Sequence, residues 1–495
     1  MAPEQTKVHL TAIFALKTPT KTKIAVLNNR LINYHTIFDE FLAYLLATGI
    51  EDLYDKKNTN AIKAVISPRL KANRSISHQI EQRHFSRAMQ DGLVEDMAYS
   101  LSSYLELQRN YDAEMGSDDI KPEKKAKLSP PGVPTVPPLI DNPKEWESRL
   151  IEFAQTTTLE DETKTRDLLL SETKAGRLRP ILFPRYRLAD GFYLLKHKER
   201  DSYYVFFNLY GKNSRYAHRI ELSQYQVLGS DKTHQRTNTG MVFPINFGKS
   251  HQYDQFLRYL VENTTSEVDA PIIKPKTAKL VKRDDRFEAH VSFEITREKK
   301  ESLTWIGVDR GIYNLASLCV VSNDGKRIIA EENISGMDLR IIQRKTDKRI
   351  SEDQKRGRRI RSSTRRGEAD NAVYRAANRI VSLAKKHRAQ VVLEDLKNLT
   401  KRNSGRGRSN FNKLLNRAQY SKLNHVLTYK LNREGLPNPK YVFAGGTSIT
   451  CPECGHYGNN NRDREDSENR FRCQDCGYQH DADLNAARVI ALKKI

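Results

Sequence analysis

A chain of 495 residues with 38% hydrophobic and 29% charged residues can bury more than one core. About two to four domains are therefore expected, and a largely disordered protein is excluded. Lys and Arg number 84 against 61 Asp and Glu, a formal net charge of +23, which points to polyanionic partners because each phosphate neutralised releases condensed counterions. No stretch approaches the roughly 18 uninterrupted apolar residues of a membrane span. The start, Met1-Ala2-Pro3-Glu4-Gln5-Thr6-Lys7, lacks the apolar core of a secretory signal. The expectation is a soluble, intracellular chain with nucleic acid, not a membrane, as its partner.

Val8 to Leu16 is β-branched and alternating, and predicts a strand. From about Ile32 the apolar residues take helical spacing, as in Ile37-Phe38-Asp39-Glu40-Phe41-Leu42, and this continues with breaks to about Arg109. The Pro-rich, charged stretch from Asp112 to Pro143 predicts a linker or mobile loop, with a short helical region from Glu145 to Lys174 beyond it. Between Pro180 and Lys300 the pattern is strand-like. Phe192-Tyr193-Leu194-Leu195 and Tyr203-Tyr204-Val205-Phe206-Phe207 flank a charged turn and predict a hairpin, and Phe287 to Ile295 alternates cleanly. Trp305-Ile306-Gly307-Val308-Asp309-Arg310-Gly311 and Leu315 to Val321 predict a buried strand, a turn at Gly311 and a second, antiparallel strand. The basic tract from Leu339 to about Arg388 predicts helix, and Val373, Ala377, Ile380 and Ala384 form one apolar stripe near its end. Gln390-Val391-Val392-Leu393-Glu394-Asp395-Leu396 predicts a short apolar strand ending in acid.

Five cysteines are present, an odd count that argues against a disulfide framework. Cys451-Pro452-Glu453-Cys454-Gly455 and Cys473-Gln474-Asp475-Cys476-Gly477 are two matched knuckles. Two-residue spacing lets both thiolates of a knuckle reach one Zn²⁺, and the glycine permits the tight turn behind them. Cys451, Cys454, Cys473 and Cys476 are thus expected to hold a structural zinc with no open position. His456 and His480 are not needed as ligands, and Cys319 reads as core.

Three acids stand where apolar sequence leads into them: Asp309, Glu394 and Asp483, the last at the entry to a final helix. An ionised carboxylate in such surroundings costs several kcal/mol unless paired or metal-bound. Together they suit divalent cations, and two ions so held can activate water and stabilise an in-line phosphodiester displacement. Each also has an ordinary reading: Asp483 as a helix N-cap, Glu394 as a strand-end ion pair, Asp309 as part of a turn. Alternation makes Glu394 and Asp395 face opposite ways, so the residues alone do not choose between them.

The order Gly307-Val308-Asp309-Arg310-Gly311, Leu393-Glu394-Asp395-Leu396, Thr447-Ser448, the two knuckles and Asp483-Leu484-Asn485-Ala486-Ala487 closely resembles the split RuvC nuclease with an inserted zinc ribbon. That arrangement is found in TnpB-like transposon nucleases and compact type V CRISPR effectors. The resemblance covers about residues 303 to 495. It implies a multidomain α/β protein whose nuclease domain is RNase H-like, a mixed sheet with flanking helices. It also implies Asp309, Glu394 and Asp483 as catalytic acids holding Mg²⁺, two ions with Mn²⁺ as a substitute, with Asp395 and Asp481 in supporting roles. By analogy with the family's plan, residues 1–31 and 175–302 would form a β-barrel wedge split by a helical recognition lobe at 32–174. Residues 303–448 and 480–495 would form the nuclease and 449–479 the zinc ribbon.

Between Arg340 and Arg366 lie twelve Lys or Arg residues, which would repel one another without an anionic partner. Arg344, Lys345, Lys348, Arg349, Lys355, Arg356, Arg358, Arg359, Arg361, Arg365 and Arg366, with Lys401, Arg402, Arg406 and Arg408, are expected to hold a nucleic-acid backbone by its phosphates. In the family, sequence information comes from a guide RNA paired to the target strand, while protein reads a short flanking motif. The resemblance therefore implies an RNA-guided DNA endonuclease in a prokaryotic cytoplasm, with guide RNA, target duplex and displaced single strand as partners. It admits a homodimer as well as a monomer. A guided binder without cleavage and a transposase remain alternatives.

Overall fold

The computed structural model describes residues 5–17, 19–117, 122–126, 128–134, 178–211, 214, 219–230, 232–237, 239–246, 260, 272–283, 286–311, 314–356, 366–396, 420–462 and 469–494. The helix expected at 145–174, part of the Pro-rich stretch, Arg358, Arg359, Arg361, Arg365, Lys401, Arg402, Arg406, Arg408 and the side chain of Arg366 lie outside them. The chain divides into two compact units, residues 9–294 and residues 1–8 with 295–495.

The unit of residues 9–294 combines helices with a large sheet. Its helices are α1 (Lys21–Thr48), α2 (Thr59–Ala72), α3 (Arg74–Gln82), α4 (Arg87–Gly116) and the single turn α5 (Pro122–Lys125). Thr20, Asn58, Asn73 and Ser86 cap the first four, each side-chain oxygen accepting a first-turn backbone N–H. Helix α1 begins eleven residues ahead of Ile32, because its opening Lys21-Thr22-Lys23 hides the apolar spacing. Helix α4 continues past Asp112, whose carboxylate accepts from the Tyr54 hydroxyl at 2.6 Å and ties the last turns down.

The strands are β1 (Gln5–Leu16), β2 (Ile181–Phe183), β3 (Phe192–His197), β4 (Tyr203–Asn208), β5 (Ile220–Glu221), β6 (Tyr225–Val227), β7 (Arg236–Thr237), β8 (Gly240–Asn246), β9 (Ile272–Arg283) and β10 (Arg286–Glu298). Eight of them form one sheet in the order β2-β9-β10-β1-β8-β4-β3-β6. The hairpin read from sequence is β3–β4, antiparallel with Phe192 opposite Phe207. Phe192, Tyr193, Phe206 and Phe207 of the hairpin are buried, with Phe183 stacked on Phe207 at 4.6 Å between ring centres.

In the C-terminal unit, β11 (Thr304–Asp309), β12 (Asn314–Ser322), β13 (Ile328–Ser335), β14 (Ala389–Asp395) and β15 (Lys440–Phe443) form a mixed sheet in the order β13-β12-β11-β14-β15. Strands β11–β13 are antiparallel, and β14 and β15 join in parallel. Helices α6 (Met337–Lys355), α7 (Arg366–His387) and α8 (Tyr420–Arg433) accompany one face and α9 (Ala482–Leu492) the other. The stripe Val373, Ala377, Ile380 and Ala384 is fully buried against Ile306, Val308, Val391 and Leu393. The small antiparallel pair β16 (Arg470–Arg472) and β17 (Gln479–Asp481) leads into α9.

Candidate active site and four-cysteine cluster

Strand alternation puts Ile306 and Val308 on the face of α7 and α8, and Gly307 and Asp309 on the other. The parallel register sets Gly307 beside Val392 and Val308 beside Leu393, so Glu394 joins Asp309 on the second face. There Val392 packs with Ile490 of α9. Helix α9 lies directly on β11: a Cβ at Gly307 would overlap the carbonyl oxygen of Ala487. The motif glycine is thus a contact point between strand and helix, and it brings the first turn of α9, with Asp483, toward the strand ends.

The structure separates neighbours that sequence left open. Glu394 is buried and Asp395 exposed. At the helix entry it is Asp481 that caps α9, accepting from the backbone N–H groups of Asp483 and Leu484 at 3.0 and 2.9 Å. Asp483 is therefore not the cap, and its carboxylate is free to face the site.

Burial pushes the Asp309 carboxyl up to about 7, reinforced by the negative charges of Glu394 and Asp483 and opposed by Arg462 and Arg310. Glu394 is also raised by burial, against a hydrogen bond from the Thr447 hydroxyl to its Oε1 and the charges of Arg310 and Lys493. Asp483 accepts from Arg462 Nη2 at 2.8 Å and from Asn314 Nδ2 at 3.1 Å. The buried Arg310 braces the strand ends, its guanidinium donating to the Glu394 carbonyl and, at 2.6 Å, to Asn424 Oδ1. Among the described residues no donor reaches the Asp309 carboxylate. A carboxyl raised in this way beside two further acids fits a divalent cation, which prefers hard oxygen ligands. The three carboxylates couple electrostatically but are not drawn together as tightly as the thiols described next.

The sulfur atoms of Cys451, Cys454, Cys473 and Cys476 all lie within 4.8 Å of one another. Cys451 stands 3.6 Å from Cys476 and Cys454 3.5 Å from Cys473, near the roughly 3.8 Å expected when four thiolates surround one zinc at about 2.3 Å. Each knuckle closes the same way. Gly455 N donates to Cys451 O and Gly477 N to Cys473 O, with both glycines at positive φ (78° and 75°). The buried Asn461 joins the knuckles, donating to Ile449 O at 2.9 Å and accepting from Gln474 N at 3.0 Å. Arg488 of α9 ties the first knuckle to the sheet through Glu453 at 2.6 Å. His456 and His480 stand outside this group; His480 pairs with Glu331 at 3.2 Å. Cys319 is fully buried in the core, its thiol raised by burial.

Arg462, Thr447, Asn314 and Arg310 hold the acids, and sequence reasoning assigned none of them a role. Arg462 sits in a charge-rich spacer between the knuckles where no spacing marks it. Of the basic residues, Arg344, Lys345, Lys348, Arg349, Lys355 and Arg356 are exposed along α6 and just beyond it.

Residues 283–448 match the family described as the RuvC nuclease domain, and residues 420–490 the Cas12f1-like TNB domain. A TnpB-like protein of Methanocaldococcus jannaschii is 28% identical over 125 residues, 25% of this chain and 42% of that protein. The CRISPR-associated endodeoxyribonuclease Cas12f1 of Sulfoacidibacillus thermotolerans is 32% identical over 131 residues, 26% of this chain and 27% of that protein. The matched stretches thus span less than half of either relative. Among solved structures, a Cas12f1–sgRNA–target DNA complex is 13% identical with a TM-score of 0.33, covering 99% of this chain and 100% of that one. An AacC2c1–sgRNA–non-target DNA complex is 9% identical with a TM-score of 0.41, covering 82% of this chain and 71% of that one.

Proposed function

We propose that this chain, a TnpB/Cas12f-like protein with a RuvC nuclease domain, is an RNA-guided DNA endonuclease whose cleavage centre is Asp309, Glu394 and Asp483. The observation that carries the assignment is the placement of Asp309 and Glu394 on one sheet face, under the helix whose first turn bears Asp483. When bound, divalent cations, Mg²⁺ in the first place, supply an activated water and charge stabilisation for the displaced oxygen. Asp309, Glu394 and Asp483 offer the oxygen donors. Thr447 favours the ionised form of Glu394 through its hydroxyl. Arg310 fixes the end of β14 relative to β11. Arg462 presents a guanidinium beside Asp483, a fork suited to a phosphate oxygen.

The four thiolates would hold a structural zinc, and the exposed cations of α6 would grip a nucleic-acid backbone. The helices α1–α4 and the eight-stranded sheet are consistent with a recognition lobe within a wedge domain. Guide RNA and target DNA enter as partners on the likeness to TnpB-like and Cas12f1 proteins and on the chain's net charge of +23. The test is to purify the protein with its own genomic flanks, sequence the bound RNA, and replace its variable end with a chosen sequence. Binding and cleavage should move to DNA matching the new sequence, beside a fixed short motif. Purification without a defined RNA would contradict guidance and favour transposase chemistry.

A further inference from the structure

One buried hydroxyl of the nuclease sheet has no part in the proposed chemistry. Ser317 of β12 is 1% exposed, and among the described residues its Oγ has no hydrogen-bond partner. A hydroxyl left unsatisfied in the interior is costly, and the large majority of such groups in folded chains are paired. The antiparallel register of β11 and β12 sets Ser317 directly opposite Asp309. Residues so opposed share one sheet face, with Cβ atoms about 4.5–5.5 Å apart. On its other side Ser317 has Asn333 of β13, which is exposed.

Helix α9 covers this pair. Ala487 and Ala491 pack with Cys319 and Val321, and the Ala487 carbonyl lies over Gly307, the β-partner of Cys319. One helix turn rises about 5.4 Å and two strand residues about 6.7 Å, so helix and strands advance in matching tiers. One turn before Ala487 stands Asp483, and two residues beyond Gly307 stands Asp309, with Ser317 opposite it. The other two acids have their own donors: Thr447 for Glu394, Arg462 and Asn314 for Asp483. Among the described residues Asp309 has none. A donor without an acceptor thus stands opposite a carboxylate without a donor.

We propose that Ser317 is a positioning residue of the cleavage centre, its hydroxyl donating to Asp309 when a divalent cation is bound and holding that carboxylate in its ligating orientation. An ionised carboxylate has about four acceptor positions, so one turned to the ion leaves others for the hydroxyl. Partners of this kind orient a ligand and change metal affinity about 10–100-fold. Without the cation the hydroxyl is a cost to the fold; with it, the cost is relieved. This rests on the nuclease reading above, and gives each of the three acids a donor of its own.

The test is calorimetric titration of Mn²⁺ into the full chain, loaded beforehand with zinc, for wild type, Ser317→Ala, Ser317→Thr and Asp309→Asn. Ser317→Ala should bind Mn²⁺ about tenfold more weakly. Ser317→Thr, which keeps the hydroxyl, should bind as wild type does. Before Mn²⁺ is added, Ser317→Ala should melt at least as high as wild type, because it removes a buried hydroxyl that has no partner. Half-maximal cleavage of matched DNA by the alanine variant should need about tenfold more Mg²⁺, with the wild-type rate recovered in excess. Unchanged Mn²⁺ affinity in Ser317→Ala, beside a loss in Asp309→Asn, would overturn the proposal and leave the cleavage centre standing. A threonine variant that melts like wild type yet binds as weakly as alanine would overturn it too. Wild-type Mn²⁺ affinity in Asp309→Asn would remove Asp309 from the ligands, and the nuclease reading would fall together with the proposal.

Discussion

Asp309 shows what the fold asks of one residue. Its carboxyl titrates near 7 in the folded, metal-free chain against 3.8 ordinarily, chiefly through burial and then through Glu394 and Asp483, with Arg462 and Arg310 opposing. The folded state therefore holds a proton that the unfolded state has released. Stability is fully present below about pH 4 and falls as pH rises toward and through 7. Asp309→Asn removes that loss, on the order of a few kcal/mol at most. Without divalent metal the variant should melt higher than wild type at pH 8, with the gap closing toward pH 4. Equal melting temperatures at pH 8 would show that the carboxyl is not under this pressure. Thr447 is a second case, acting through Glu394 by a single hydroxyl. Thr447→Val should weaken divalent-ion affinity about tenfold or more, as loss of a hydrogen bond to a ligand does. Calorimetric titration of Mn²⁺ into the full chain measures this, with unchanged affinity as the contrary result. Residue identities were legible in sequence only in part. The apolar run into Asp309 and Glu394 marked both, but the choice of Glu394 over Asp395 needed the sheet face. The cap at Asp481, not Asp483, needed the helix start. Arg462 left no mark, because a lone arginine in a polar spacer looks like any solvated charge.

At the scale of elements, the site depends on how closely α9 lies on β11. Gly307→Ala would drive a methyl group into the Ala487 carbonyl, so the helix must move and carry Asp483 away from Asp309. Overpacking of this kind costs about 1–3 kcal/mol. Urea midpoints should fall accordingly while zinc content stays intact, and cleavage should drop more than the stability loss accounts for. Activity retained at the wild-type level would mean that α9 does not set the geometry. The strands β11, β12 and β14, the hairpin β3–β4 and the stripe on α7 were all readable, because period-2 and helical patterns are local. The parallel docking of β15 beside β14 was not, since four residues with one buried side chain carry too little pattern. The early start of α1 was hidden by charges in its first turn.

For the molecule as a whole, the cysteine cluster is built into the nuclease and does not hang from it. Asn461 and Arg488 link the knuckles to each other and to α9, and Arg462 reaches from the same segment to Asp483. Cys454→Ser should abolish zinc binding at the four-cysteine cluster, loosen α9 and reduce cleavage at least tenfold, with partial loss of cooperative unfolding. Metal analysis beside thermal melting checks this, and a zinc-free variant with wild-type cleavage would refute the link. The knuckles were the plainest signal in the sequence, since Cys-x-x-Cys-Gly fixes both ligand spacing and turn geometry. The arrangement of the first 294 residues was the least plain: eight strands paired in an order that jumps along the chain leave no local trace.

The most direct test of the central claim is cleavage of a guide-matched plasmid in Mg²⁺ by wild type, Asp309→Ala, Glu394→Ala and Asp483→Ala, each loaded with the same RNA. The account predicts cutting by wild type alone, at the matched site, while all three variants still bind the target. Cutting by any one of the three variants at the wild-type rate would contradict it, because that carboxylate would then stand outside the cleavage centre.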